Sequence, residues 1–128
     1  MWGGGGSIHK ARSAPARLSV AARLPGVWDD PGAFVPYWDR ARRIRSARDS
    51  VLCSAWRYRA TNLLAVVSNG EHVPVKAGVR LDTDAIMGRS PEALSARDVE
   101  EPGATLKWDR GVLELDVAAR DYRLVLFE

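Results

Sequence analysis

LKWDRGVLELDVAARDYRLVLFE, residues 106–128, decides the fold of this chain. It reads as three consecutive β-strands joined by tight connections. In Val112–Val117 the residues Leu113, Leu115 and Val117 face one way, and Val112, Glu114 and Asp116 face the other. That period of two marks a strand with one buried face. Tyr122–Phe127 is apolar on both parities, which predicts a more deeply buried strand. A chain that ends on a core strand has a structural C-terminus, and trimming it is expected to cost more than trimming a tail. Asp109, Arg110 and Gly111 form a hairpin loop, with glycine available where a positive φ is needed.

Working backwards, residues 50–58 (SVLCSAWRY) and 62–68 (NLLAVVS) predict two strands of an antiparallel hairpin. Asn69-Gly70 is a strong turn signal, and residues 72–81 (HVPVKAGVRL) alternate after it, so a three-stranded meander is expected. Pro74 cannot donate to a ladder, which places this strand at an edge or beside a bulge. Residues 82–88 suit a turn or a single helical turn, and residues 93–99 predict a further short strand. Six to eight short strands spaced by turns, with no βαβ alternation, predict an all-β fold, an antiparallel β-sandwich. The expected core is Val51, Cys53, Ala55, Leu64, Val66, Val73, Val75, Val79, Leu81, Leu106, Leu113, Leu115, Val117, Leu124 and Leu126.

Residues 1–33 read differently. Gly3 to Gly6, Pro15, Pro25, Gly26, Pro31 and Gly32 interrupt them too often for a stable element, so a flexible basic tail or linker is expected before a sandwich domain at 34–128. The chain carries a formal charge of +3, but residues 1–28 hold Lys10, Arg12, Arg17 and Arg23 with no acid. The remaining 15 basic and 16 acidic residues give 15 − 16 = −1, so the charge belongs to the tail. No basic-aromatic array follows it, and no nucleic-acid partner is expected. No run of 18 apolar residues exists and no membrane partner is expected; the start lacks the apolar stretch of a secretory signal.

Chemistry-bearing residues are sparse. Cys53 lies in a strand-like run and reads as a small core residue, and His9 and His72 are too scattered for a metal site, so neither metal nor cofactor is expected. The carboxylates Asp29-Asp30, Asp39, Asp82 with Asp84, and Glu100-Glu101 fall in turns or linkers, where solvated carboxylates are the rule, and no catalytic residue is assigned. The five tryptophans carry more information. Trp56 and Trp108 sit in or beside strands and are expected to pack on the core. Trp28 and Trp38 lie outside the strands, and with Phe34 and Tyr37 they form the candidate contact surface for carbohydrate or a protein partner. Arg40, Arg42, Arg43, Arg45 and Arg48 follow as a cationic run, read as a solvated face in preference to a docking surface.

The order of these pieces, FVPYW, a strand ending SAWRY, NLLAVVSNG, LDTDAIMG, SARDVEEP and LDVAARDYRLVLFE, resembles the C-terminal β-sandwich of large glycoside-hydrolase-like proteins related to glycoside hydrolase family 123. In such proteins the acid/base residues lie in a preceding (β/α) barrel, so the resemblance implies a domain without its enzyme. It therefore implies a non-catalytic accessory sandwich whose partner is a catalytic barrel. Such a domain is expected to expose an apolar patch at Phe34, Tyr37 and Trp38, which also offers a route to self-association. The alternative is a stand-alone carbohydrate-binding module with exposed, coplanar tryptophans; an intact small hydrolase ranks last.

Overall fold

A computed structural model of the chain describes residues 34–58 and 61–128. The expectations for residues 1–33, Trp28 and Asp29-Asp30 included, lie outside the described residues. Nine strands are described: β1 (Phe34–Val35), β2 (Ile44–Ser46), β3 (Val51–Tyr58), β4 (Asn62–Asn69), β5 (Val75–Leu81), β6 (Ala96–Asp98), β7 (Leu106–Asp109), β8 (Val112–Val117) and β9 (Tyr122–Phe127). They form a five-stranded sheet, β1-β3-β4-β9-β6, and a four-stranded sheet, β2-β5-β8-β7, with every pair antiparallel. A short helix α1 (Thr83–Met87) and a 3-10 turn (Pro91–Ala93) link β5 to β6. The all-β sandwich expected from sequence is the observed fold.

Alternation explains the four-stranded sheet. Val75, Ala77, Val79 and Leu81 of β5 and Leu113, Leu115 and Val117 of β8 are buried, while Lys76, Arg80 and Asp116 between them face solvent. The β7–β8 hairpin closes with Asp109 opposite Val112, so Arg110 and Gly111 form a two-residue loop, both at positive φ (52° and 84°). That backbone matches the twist of the flanking strands. The helical turn also forms: Asp82 caps α1 by accepting a bond from the Ala85 N–H at 3.1 Å, and Gly88 ends it at φ 70°.

The five-stranded sheet departs from expectation in its parity. Leu63, Ala65 and Val67 of β4, and Val125 and Phe127 of β9, fill the space between the sheets. Leu64, Leu124 and Leu126 are buried on the opposite face, in a second cluster with Val99 and the partly buried Val66 and Tyr122. A strand apolar on both faces carries no parity signal, so either set satisfies the pattern. Trp108 packs as expected, edge-on to Phe127 at 4.7 Å, with its indole N–H donating to the Pro91 carbonyl at 3.0 Å. Leu106 is half-buried, and Val73 is 55% exposed in the loop before β5 instead of in the core.

The expected meander does not form, because β4 and β5 belong to different sheets. Asn69 ends β4 and spends its side chain on the crossing. Its amide donates toward the carbonyls of Val73 (2.9 Å), Val117 (3.2 Å) and Ala118 (3.2 Å), and its Oδ1 accepts from the Glu71 N–H (2.8 Å). A buried amide satisfied in this way fixes both crossovers, β4 to β5 and β8 to β9, at one corner. Pro74 stands just before β5, an interior strand of its sheet, so no ladder bond is lost. The short strand β2 lies inside the expected cationic run.

Candidate functional site

Phe34 and Val35 form a two-residue edge strand against β3, with Phe34 opposite Trp56 and Val35 opposite Ala55. Val35 enters the core, and Phe34 stacks on Trp56 with ring centroids 4.7 Å apart and planes 28° from parallel. Pro36 then ends the pairing, since it has no N–H to give. The chain turns away, held by the Tyr37 N–H donating to Ser54 Oγ and the Asp39 N–H donating to the Pro36 carbonyl, each at 3.0 Å. This turn lifts two rings off the sheet. Trp38 meets Phe34 edge-on at 6.2 Å, Tyr37 meets Trp38 edge-on at 4.8 Å, and the two are 63% and 50% exposed.

Beside these rings runs an open groove of about 500 Å³, lined by the apolar Tyr37, Trp38 and Leu52, by Arg40, Arg42, Arg45 and Arg48, and by Asp39 and Asp49. Ile44, Val51 and Cys53 also border it. The expected cluster of Phe34, Tyr37 and Trp38 is therefore brought together, with Phe34 as the half-buried anchor and the other two exposed. Four arginines of the run, read from sequence as a solvated face, line the same groove.

One carboxylate in the groove is already engaged. Both oxygens of Asp39 accept from the Arg43 guanidinium at 2.9 Å, and Oδ2 also accepts the Arg43 N–H at 3.1 Å. The guanidinium and that N–H hold the Asp39 carboxyl down at about 2, below the usual carboxylate range, and Asp39 raises Arg43 in return. Arg48 lies 3.8 Å from Glu71, which also accepts a hydrogen bond from the Ser50 hydroxyl. Burial pushes the Cys53 thiol up to about 12, so the nucleophilic thiolate is disfavoured.

The remaining carboxylates have structural partners. Asp82 caps α1. Asp98 is buried, accepting from the N–H groups of Glu100 (2.9 Å) and Glu101 (2.7 Å) and from Arg123 Nε (2.6 Å), while Arg123 also reaches Glu101 at 3.5 Å and the Asp116 carbonyl at 3.0 Å. Among the described residues no three His, Cys, Asp or Glu side chains gather closely enough to hold a metal ion.

Sequence reading missed a second feature. Arg80 of β5 and Arg110 of the β7–β8 turn come beside Arg42 and Arg45, in a cleft of about 220 Å³ next to the groove. The signals were present, Arg80 on the outward parity of an alternating strand and Arg110 in a predicted turn, but nothing in the sequence pairs β2 with β5. Compared with protein-family models, with curated proteins and with solved structures, the chain matches none.

Proposed function

We propose that residues 34–128 form a non-catalytic docking module, and that the groove lined by the Tyr37–Trp38 pair and the arginines receives an acidic surface of a catalytic barrel. The reading rests on one observation: Tyr37, Trp38 and Leu52 stand exposed and line one groove together with Arg40, Arg42, Arg45 and Arg48. Aromatic and arginine side chains are enriched where protein partners dock, because they combine large apolar area with directional donors. The charge of these arginines selects the partner. Arginines only donate, and of the two lining carboxylates Asp39 has both oxygens engaged by Arg43, which leaves Asp49 against four arginines, so the groove suits a face rich in carboxylates and carbonyls. The family resemblance supplies the barrel as the partner class.

The second reading, a carbohydrate-binding module, draws on the open indole face of Trp38. One feature weighs against it: Trp38 and Tyr37 meet at 86°, so they offer no coplanar platform.

The deciding experiment mixes the full chain with glycoside-hydrolase-like barrel polypeptides that lack a closing sandwich and measures complex formation by calorimetry. A one-to-one complex is expected, and Trp38→Ala should weaken it about 30-fold, roughly 2 kcal/mol, with little change in the unfolding midpoint. Saturable tryptophan quenching by neutral oligosaccharides, with no barrel binding, would favour the carbohydrate reading. A concentration-dependent homodimer abolished by Trp38→Ala would assign the groove to a second copy. Turnover of aryl glycosides that survives purification would refute a non-catalytic role.

A further inference from the structure

The cleft beside the groove is built from three separate segments fastened by backbone bonds. The Asp82 N–H donates to the Arg43 carbonyl at 2.8 Å, which joins the end of β5 to the entry of β2. The Leu81 N–H donates to the Gly111 carbonyl at 2.9 Å, which joins β5 to the β7–β8 turn. Arginines from all three segments line the resulting cleft: Arg42, Arg43 and Arg45, then Arg80, then Arg110. Asp82, which caps α1 through Oδ1, is the one carboxylate residue lining this cleft with the five arginines, and the Arg43 guanidinium is already engaged by Asp39.

Most arginines of the described residues are matched, Arg43 of the cleft among them, while Arg40 beside the aromatic groove is not. Arg43, Arg48, Arg97 and Arg123 lie against carboxylates, Arg89 bonds the carbonyls of Thr61 and Ala93, and Arg120 bonds His72. For the other cleft arginines the matching fails. Among the described residues Arg42, Arg80 and Arg110 have no side-chain partner, and Arg45 has one weak bond, from Nε to the Arg42 carbonyl at 3.3 Å. Asp109 and Glu114 share the neighbouring depression with Arg80 and Arg110 but form no ion pair with either.

Two observations show that the arrangement is held against local preference. Arg45 and Arg80 stand directly opposite on adjacent antiparallel strands, where like charges repel. Arg42 and Arg110 both hold positive φ, 55° and 52°, a backbone state that branched and long side chains adopt at a cost. The positive φ of Arg110 also serves the two-residue β7–β8 hairpin, whereas the opposed Arg45–Arg80 pair serves no strand pairing. An anion seated among the guanidiniums would relieve the repulsion of the Arg45–Arg80 pair.

From these observations we infer that the cleft between β2, the end of β5 and the β7–β8 turn is a binding site for a tetrahedral oxyanion ester, a phosphate or sulfate monoester carried on a small polar molecule. Guanidiniums approaching from several directions suit an anion with three terminal oxygens better than a planar carboxylate, which one arginine satisfies in two-point fashion. The site goes beyond the docking reading and stands without it, because Arg80 and Arg110 take no part in the aromatic groove.

The test titrates the full chain by calorimetry, at fixed ionic strength, with glucose 6-phosphate, glucose 6-sulfate and glucose. Saturable binding of at least one ester, and none of glucose, is expected; which ester binds identifies the source of the oxyanion. Arg80→Gln and Arg110→Gly should each weaken binding about tenfold or more, as expected for loss of one charged hydrogen-bonding partner. Glycine adopts the positive φ of position 110 readily, so the second variant should keep its fold. Arg97→Gln, whose side chain pairs with Glu128 away from the cleft, and Trp38→Ala, in the groove, should bind as the unmodified chain does. Binding of neither ester, equal binding of glucose, or full ester affinity in both cleft variants would overturn the inference. Loss of barrel binding in Trp38→Ala with ester binding intact would separate the two sites.

Discussion

Asp39 shows how one side chain sets up a surface. By engaging Arg43 through both oxygens it fixes the turn from which Trp38 and Tyr37 project, and its carboxyl is held at about 2 against an ordinary value of 3.8. A folded-state value below the unfolded one means that the carboxylate stabilises the fold above about pH 4 and loses that effect as pH falls through about 2. Asp39→Asn should therefore be less stable than the unmodified chain at pH 5, with the gap closing toward pH 2 in denaturant titrations run across that range. A gap of constant size would mean that shape, not charge, holds the turn. None of this was legible beforehand, because Asp39 and Arg43 are four apart in a segment with no helical pattern to bring them together. Asn69 was half legible: its position at a turn was clear, but its amide serves a crossing between sheets and not a tight hairpin.

Strand β9 carries the fold at the scale of elements. It lies between β4 and β6, and its last residues pair on both sides, with Leu126 opposite Leu64 and Arg97 and Phe127 opposite Leu63 and Ala96. Phe127 has no exposed surface and packs against Trp108 of the other sheet, so it fastens the two layers together. Replacing it with alanine leaves a cavity between the sheets, and Phe127→Ala should lower stability by about 3–5 kcal/mol. That is a large share of the roughly 5–15 kcal/mol typical of a domain. Leu52→Ala, on the 39% exposed groove face, should cost under about 1 kcal/mol. Equilibrium unfolding of both variants measures the contrast, and equal losses would contradict the placement of Phe127 between the sheets. The sequence showed that β9 is buried on both faces but not which face meets the second sheet. The register of β4 against the alternating strand β3, Cys53 opposite Val67 and Ala55 opposite Ala65, together with the pairing of β4 with β9, settles that, and pairing across some sixty residues leaves no trace in either strand's own pattern.

At the scale of the whole molecule, residues 34–128 are close to electrically neutral, and this sharpens what the arginine corner should do. Residues 34–128 contain 15 basic and 14 acidic side chains, a net of 15 − 14 = +1. A charge so small gives salt little to screen if it is spread evenly. The charges are instead sorted by the topology: β2 brings Arg45 beside Arg80, the β7–β8 turn adds Arg110, and most other arginines find partners. Repulsion should then be local, and stability should rise with sodium chloride despite near-neutrality. Arg80→Gln, which removes one member of the opposed pair, should be more stable than the unmodified chain by roughly 0.5 kcal/mol at low salt. The advantage should fade toward 1 M, where screening acts within about 3 Å. Denaturant midpoints of both proteins across a chloride series give the comparison. If Arg80→Gln is less stable at every salt concentration, the aliphatic stem of Arg80 contributes more by packing than its charge costs by repulsion. If the advantage persists unchanged at 1 M, the strain at position 80 is steric. The outcome in between, a gain that chloride erases, is the one that leaves an anion as the natural complement of this corner.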